Sequence, residues 1–251
     1  MFDVDELSKD DFLGGAIKIW QPKNGYRAGM DPILLAATVN VSEGQKVLDL
    51  GCGVGTASFA IGFRVKKTKL YGIEIQKSLV DLASRNSKEN GIALKIECAD
   101  ILNLPSSIKN ETFDHVIANP PYFDRKSSVS SKNLSKEKAF GDSHPITEWL
   151  KVAAKRAKPK GFVHFIVRTN RLPEIFSNVP KSLGSLVMTP IISRENQKAK
   201  LTILHAKKNG RADFMVSSPI VLHPEKKEAS SKYVLEVENV LRKGTSLTTW
   251  F

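Results

Sequence analysis

The tetrapeptide Asn119-Pro120-Pro121-Tyr122 joins a side-chain amide, an accessible backbone carbonyl and an aromatic ring. The oxygens of Asn119 and Pro120 can accept the two N–H bonds of a planar amine, while Tyr122 stacks on the ring that bears it. Two acceptors on one NH2 group leave its nitrogen lone pair pointing one way. The preceding run, Phe113 to Ala118, is apolar enough to be a buried strand, and two prolines in succession must stop it. The tetrapeptide is thus a stiff step at a strand's carboxyl end, where open α/β sheets bind ligands. A proline-rich turn with an incidental tyrosine is the plain alternative, and other residues must decide.

A second set of residues bears on that choice. Asp49-Leu50-Gly51-Cys52-Gly53-Val54-Gly55 lies at a turn from strand to helix, and glycines there let a ligand approach the backbone. The Gly-x-Gly-x-Gly spacing is not that of a dinucleotide site, and Asp49 would repel a pyrophosphate. A carboxylate at this point suits a ligand with a cationic amino-acid group; a nicotinamide cofactor is the runner-up. Glu74 ends the next strand, where an acid hydrogen-bonds ribose hydroxyls. Asp100 directly follows the third strand and can accept from an adenine amino group. Each acid alone could be a helix cap or a solvated loop residue. Three acids at consecutive strand ends, with the glycines, indicate a cofactor pocket.

Positioning these groups requires a parallel sheet. Val47 to Leu50, Leu70 to Ile75, Leu94 to Ala99 and Phe113 to Ala118 alternate with helical segments, and no internal repeat is present. This pattern predicts an α/β, Rossmann-like, doubly wound sheet of seven strands, mostly parallel with an antiparallel late strand. Asp31-Pro32 reads as a helix start, with Asp31 as its cap, and Gly91 as a helix end. Phe162 to Val167, Leu186 to Ile192 and Leu201 to Ala206 are the later strands. A small C-terminal hairpin and helix is expected from Phe214 to Leu241. The whole of residues 1–251 reads as one domain, with an acidic tail at 1–15 and a Ser/Lys-rich, mobile substrate loop at 123–143.

Composition narrows the classes. No apolar run approaches the length of a membrane span, and the acidic start has the wrong sign for a targeting peptide, so a cytoplasmic protein is expected. Cys52 and Cys98 provide neither a disulfide framework nor zinc-site spacing. His115, His144, His164, His205 and His223 also lack ligand spacing; each is expected to be structural or exposed, and no metal is expected. The net charge of +12 is concentrated after the tetrapeptide, from Arg125, Lys126 and Lys132 through Lys151, Lys155, Arg156, Lys158 and Lys160 to Arg194 and Arg211. Such clusters beside a site point to a polyanion such as nucleic acid, with a solvated lysine-rich surface as the alternative.

Asp49 to Gly55, Glu74, Asp100 and Asn119 to Tyr122 together resemble the ordered motifs of class I S-adenosylmethionine-dependent methyltransferases. Gly25 to Ala37, ahead of the glycine loop, is similar to the bacterial family that methylates N6 of adenine-37 in a valine tRNA. Agreement extends to Pro190 and to Pro219-Ile220-Val221-Leu222-His223. The resemblance implies S-adenosyl-L-methionine as cofactor and RNA, most simply tRNA, as partner. It implies Asp49, Gly51, Gly53, Gly55, Glu74 and Asp100 as cofactor-binding residues and Asn119, Pro120 and Tyr122 as catalytic. Pro121, Tyr122, Arg125 and Lys126 are then expected to meet the substrate. Alternatives are a guanine-N2 methyltransferase acting on rRNA, a protein-glutamine methyltransferase, or a non-catalytic RNA-binding protein.

Overall fold

The computed structural model describes residues 2–25, 27–121, 144–225 and 231–247. Strands β1 (Leu7–Phe12) and β2 (Ile17–Pro22) pair as an antiparallel hairpin. Residues 1–15 are therefore not a tail. β1 is inconspicuous in sequence because only alternate side chains turn inward, and its outer face carries Lys9 and Asp11. After the hairpin come α1 (Asp31–Thr38), β3 (Lys46–Leu50), α2 (Thr56–Arg64), β4 (Lys69–Glu74), α3 (Lys77–Asn90) and β5 (Leu94–Cys98). The chain continues with the short α4 (Ser106–Lys109), β6 (Phe113–Ala118), α5 (Ile146–Arg156), β7 (Ala157–Arg168) and α6 (Leu172–Phe176). It closes with β8 (Leu183–Ile192), β9 (Leu201–Lys208), β10 (Met215–Val216), β11 (Ile220–Val221) and α7 (Leu235–Lys243). Asp31 is the first residue of α1 rather than its cap, which is Met30.

The main sheet runs β10-β8-β9-β7-β6-β3-β4-β5, with β11 also on β8. Strands β5, β4, β3, β6 and β7 are mutually parallel, and β9 is antiparallel to both β7 and β8. The seven expected strands are thus present. In place of the expected C-terminal hairpin, β10 and β11 each pair in parallel with β8. Helices α1, α2, α3 and α7 contribute to the core on one face, with Leu34, Phe59 and Val240 fully buried. Helices α4, α5 and α6 cover the other, around Phe113, Phe165 and Ile175. Among the described residues, no helix is long and apolar enough to cross a membrane.

The hairpin is fastened to α3 by two asparagines one helical turn apart. Asn86 Oδ1 accepts from the Trp20 N–H at 2.8 Å, and its Nδ2 donates to the carbonyls of Trp20 and Val54. Asn90 repeats the pattern on Lys18, accepting from its N–H and donating to its carbonyl. Each amide mimics a peptide unit. The spacing works because four helical residues rise about 6 Å, close to the two-residue repeat of a strand. The Arg85 guanidinium lies 3.6 Å from the Trp20 ring centroid on the same surface.

Arg156, from the charge clusters, and Lys208, in the same basic C-terminal half, serve the fold instead. Arg156 is buried and donates to the backbone carbonyls of Ile108 and Lys109. Lys208 Nζ donates to the carbonyls of Ala154 and Ala157, at the C-terminus of α5, where a cation is favoured. Lys158 and Lys160 lie at the start of β7, at the opposite end of the sheet from Asn119.

His115, His164 and His205 form a buried row across β6, β7 and β9. His115 Nε2 meets Gln45 Oε1 at 3.1 Å, His115 Nδ1 meets His164 Nε2 at 3.0 Å, and His164 Nδ1 meets His205 Nδ1 at 2.7 Å. The amide oxygen can only accept, so His115 must donate from Nε2 and accept at Nδ1. With each ring neutral, the same polarity passes along: His205 donates to His164, and His164 to His115. Burial lowers the basicity of all three, His115 to about 4, His205 to about 3 and His164 well below its ordinary value. Unfolding returns them to water, where they bind protons below the usual histidine range. Folding stability should therefore fall as pH drops from about 6.5 towards 4, by up to about 1.4 kcal/mol per pH unit for each histidine. Calorimetric melting across that range should show a falling Tm and proton uptake on unfolding.

Candidate active site

Register brings the site residues together. Leu50 of β3 pairs with Ile73 of β4 on one side and with Ala118 of β6 on the other, while Glu74 pairs with Cys98 of β5. The residues that follow these pairs share one rim. Asp49, Gly51, Gly53 and Glu74 all line a cavity of about 390 Å³ there, within the range of cofactor sites. Asp100, Asn119, Pro120 and Pro121 line the same cavity. Gly55 does not. Tyr122, Arg125 and Lys126 fall outside the described residues.

The glycines act partly on the protein itself. Gly51 adopts φ +65°, and a Cβ on it would come within 2.6 Å of the Trp149 ring. Gly55 adopts φ +88° ahead of α2, and its Cβ would meet Phe59 at 2.5 Å. Both positions need glycine for backbone conformation and close packing. The absent side chain of Gly55 makes room for Phe59, away from the cavity, whereas that of Gly51 makes room for Trp149 at the cavity wall.

The acids are distinct in state. Asp49 and Glu74 are buried, whereas Asp100 is partly exposed. Burial pushes Asp49 up to about 7, against the opposing hydrogen bond from Ser58 Oγ at 2.8 Å, and the charge of Glu74 raises it further. Burial also raises Glu74, partly offset by backbone N–H donors. Gly53 N–H reaches one oxygen of Glu74 at 3.0 Å and Gln76 N–H the other at 2.9 Å. Glu74 thereby ties the glycine loop to the end of β4, and each oxygen retains a lone pair for a hydroxyl. Asp100 caps a 3-10 turn through the Leu102 N–H at 2.8 Å and also meets His144 Nε2 at 2.7 Å.

Arg27, His144, Trp149 and Arg168 also line the cavity, outside the site residues expected from sequence. Arg27 is tied to the hairpin, donating to Asp10, Ser8 and the carbonyl of Pro22. Trp149 shares the buried face of α5 with Leu150 and Ala153. No local pattern marks His144 or Arg168. Thr56 Oγ1 and Trp149 Nε1 are buried without a hydrogen-bond partner among the described residues. Two buried acids and two unsatisfied polar atoms around one cavity suit a polar, cation-bearing ligand, as a nucleoside joined to an amino acid would be.

The profile of the family described as "Methyltransferase domain" matches residues 41–212, from the loop before β3 to beyond β9. The chain belongs to that family. It is a class I methyltransferase, and S-adenosyl-L-methionine is its cofactor. Among solved structures, a predicted O-methyltransferase from Agrobacterium tumefaciens superposes with a TM-score of 0.70 at 23% identity, over 87% of this chain and 98% of that one. The 16S rRNA N2 G1207 methyltransferase of Thermus thermophilus gives 0.53 at 19% identity, over 82% of this chain and 46% of that one. Among curated relatives, a tRNA1(Val) (adenine(37)-N6)-methyltransferase of Glaesserella parasuis is 27% identical, over 56% of this chain and 59% of its own length. Its namesake in Actinobacillus succinogenes is 23% identical, over 86% and 89%. The match to the first of these relatives thus spans about three fifths of the relative's length.

The methyltransferase cavity sets a pH dependence. Burial raises Asp49 to about 7 in the empty site, so a ligand cation placed beside it would favour the charged form. Binding of S-adenosylhomocysteine should then release a proton below pH 7 and weaken by up to about tenfold per pH unit as the pH falls further. Titration calorimetry in buffers of differing ionisation enthalpy measures that proton, and Asp49→Asn should abolish its release.

Proposed function

We propose that this methyltransferase transfers a methyl group to N6 of adenine in RNA, and specifically to adenine-37 of a valine tRNA. The observation that carries the reading is the placement of Asn119 and Pro120, at the carboxyl end of β6, in the wall of the cavity that holds Asp49 and Glu74. An amide oxygen and a prolyl carbonyl side by side are what an exocyclic amine requires. The cofactor's sulfonium supplies a methyl group that is already activated. The protein's part is to place the acceptor nitrogen and to stabilise charge there.

Asn119 Oδ1 and the Pro120 carbonyl accept the two N–H bonds of the amine. As positive charge grows on nitrogen both bonds strengthen, so they favour the transition state over the bound substrate. Tyr122 stacks on a base turned out of its loop, beside Pro121. Asp49 meets the amino-acid end of the cofactor, Glu74 its ribose hydroxyls and Asp100 its adenine. Gly51 and Gly53 let it approach the loop. Arg125 and Lys126 meet phosphates, a role in keeping with the net charge of +12. The names of the curated relatives support adenine-37 of tRNA1(Val) as the substrate.

Labelled S-adenosylmethionine incubated with total tRNA, total rRNA and a protein extract, followed by nucleoside analysis, tests the reading. N6-methyladenosine in tRNA is expected. Methylguanosine in rRNA, label in protein, or none anywhere overturns it. In a second test, Asn119→Ala should bind S-adenosylhomocysteine normally yet lose at least about two orders of magnitude in single-turnover rate, as for a deleted transition-state acceptor.

A further inference from the structure

Two groups at the entry to α5 are left over by the roles assigned above. His144 precedes the helix, and its Nε2 lies 2.7 Å from Asp100 Oδ1. The same oxygen accepts the Leu102 N–H at 2.8 Å, so Asp100 is held by its own turn and by a residue 44 positions away. Trp149 stands on the first turn and a half of α5. It is 7% exposed, packs its ring against Gly51 and borders the cavity. Its Nε1–H has no partner among the described residues. A buried indole N–H ordinarily finds an acceptor, and Trp149 lines the cofactor cavity.

Both groups belong to one end of that cavity. Helix α5 packs against the 3-10 turn Ile101–Asn103 that Asp100 caps, and Trp149 shares a buried cluster with Ile101. The purine and ribose of an adenosine offer several acceptors to an N–H donor, and the exocyclic amine offers donors to Asp100. We propose that His144 and Trp149 form a recognition element for the adenosine half of the cofactor. His144 is a positioning residue that orients the Asp100 carboxylate toward the adenine amine, and Trp149 donates its Nε1–H to the bound adenosine. The inference rests on the assignment of Asp100 to the adenine.

Direct binding separates the two levels. Calorimetric Kd values for S-adenosylhomocysteine are compared with those for S-inosylhomocysteine, which lacks the adenine amine. Wild type should prefer the adenine compound. His144→Ala should weaken S-adenosylhomocysteine binding by about tenfold and narrow that preference, while His144→Gln, which keeps a donor, restores it. Trp149→Phe keeps the ring and removes the N–H, and should weaken both compounds by a similar factor of about five to ten. Melting temperatures near wild type ensure that these changes are local.

A His144→Ala variant that keeps the full preference, or a Gln variant no better than Ala, overturns the positioning role. Wild-type affinity in Trp149→Phe overturns the donor role. Asp100→Ala should lose the preference altogether. If it does not, the adenine assignment of Asp100 itself is wrong, an outcome distinct from failure of His144 alone.

Discussion

The structure depends on the in-register parallel pairing of β3 with β4 and β6. Leu50 faces Ile73 and Ala118 at once, so the chain leaves three strands at one level. Side chains alternate along a strand, and slipping β6 by a single residue would turn Asn119 to the opposite face and force Val116 and Ile117 each into the other packing layer. Burial of the sheet on both faces makes such a slip very unfavourable. Hydrophobic packing remote from the rim therefore holds the polar atoms at the rim in place.

That rim concentrates acids that water does not reach. Asp49 and Glu74 lie under the surface, and Glu74 accepts from the backbone N–H groups of Gly53 in the glycine loop and of Gln76 just beyond β4. The pocket therefore holds negative potential in a low-dielectric setting, which favours a cation over a neutral or anionic ligand. The positive charge of the chain is distributed differently. Arg156 and Lys208 are consumed in capping helices α4 and α5, and Lys158 pairs with Asp114 at the far end of the sheet. A sum over the sequence cannot distinguish charges that face a partner from charges that close a helix.

Asp49, Glu74 and Asn119 could be placed at the rim because each stands at or next to the end of a short apolar run, and a run's length predicts where the next polar residue emerges. The alternation of strands and helices gave the sheet for the same reason. Gly55 was misread because a glycine demanded by Phe59 looks the same in sequence as one demanded by a ligand. His144 and Asp100 are separated by more than forty residues, so no spacing rule could join them. β1 was hidden by its one buried face, and the start of β7 by Pro159 and Gly161 within a register shift opposite β6. Single-faced and irregular strands carry too little apolar signal to announce themselves.

The asparagine pair on α3 also constrains the order of assembly. β1 and β2 are adjacent in sequence and can close as soon as both are synthesised. The free edge of β2 has to wait for Asn86 and Asn90, some 66 to 72 residues later in the chain. During synthesis the hairpin emerges first with one row of backbone donors and acceptors uncovered, an invitation to pair with a neighbouring nascent chain. When α3 forms, its two amides cover that edge, and Asn86 simultaneously secures the Val54 carbonyl of the glycine loop. The covering of that edge and the shaping of the cofactor loop are thus coupled through one residue, Asn86.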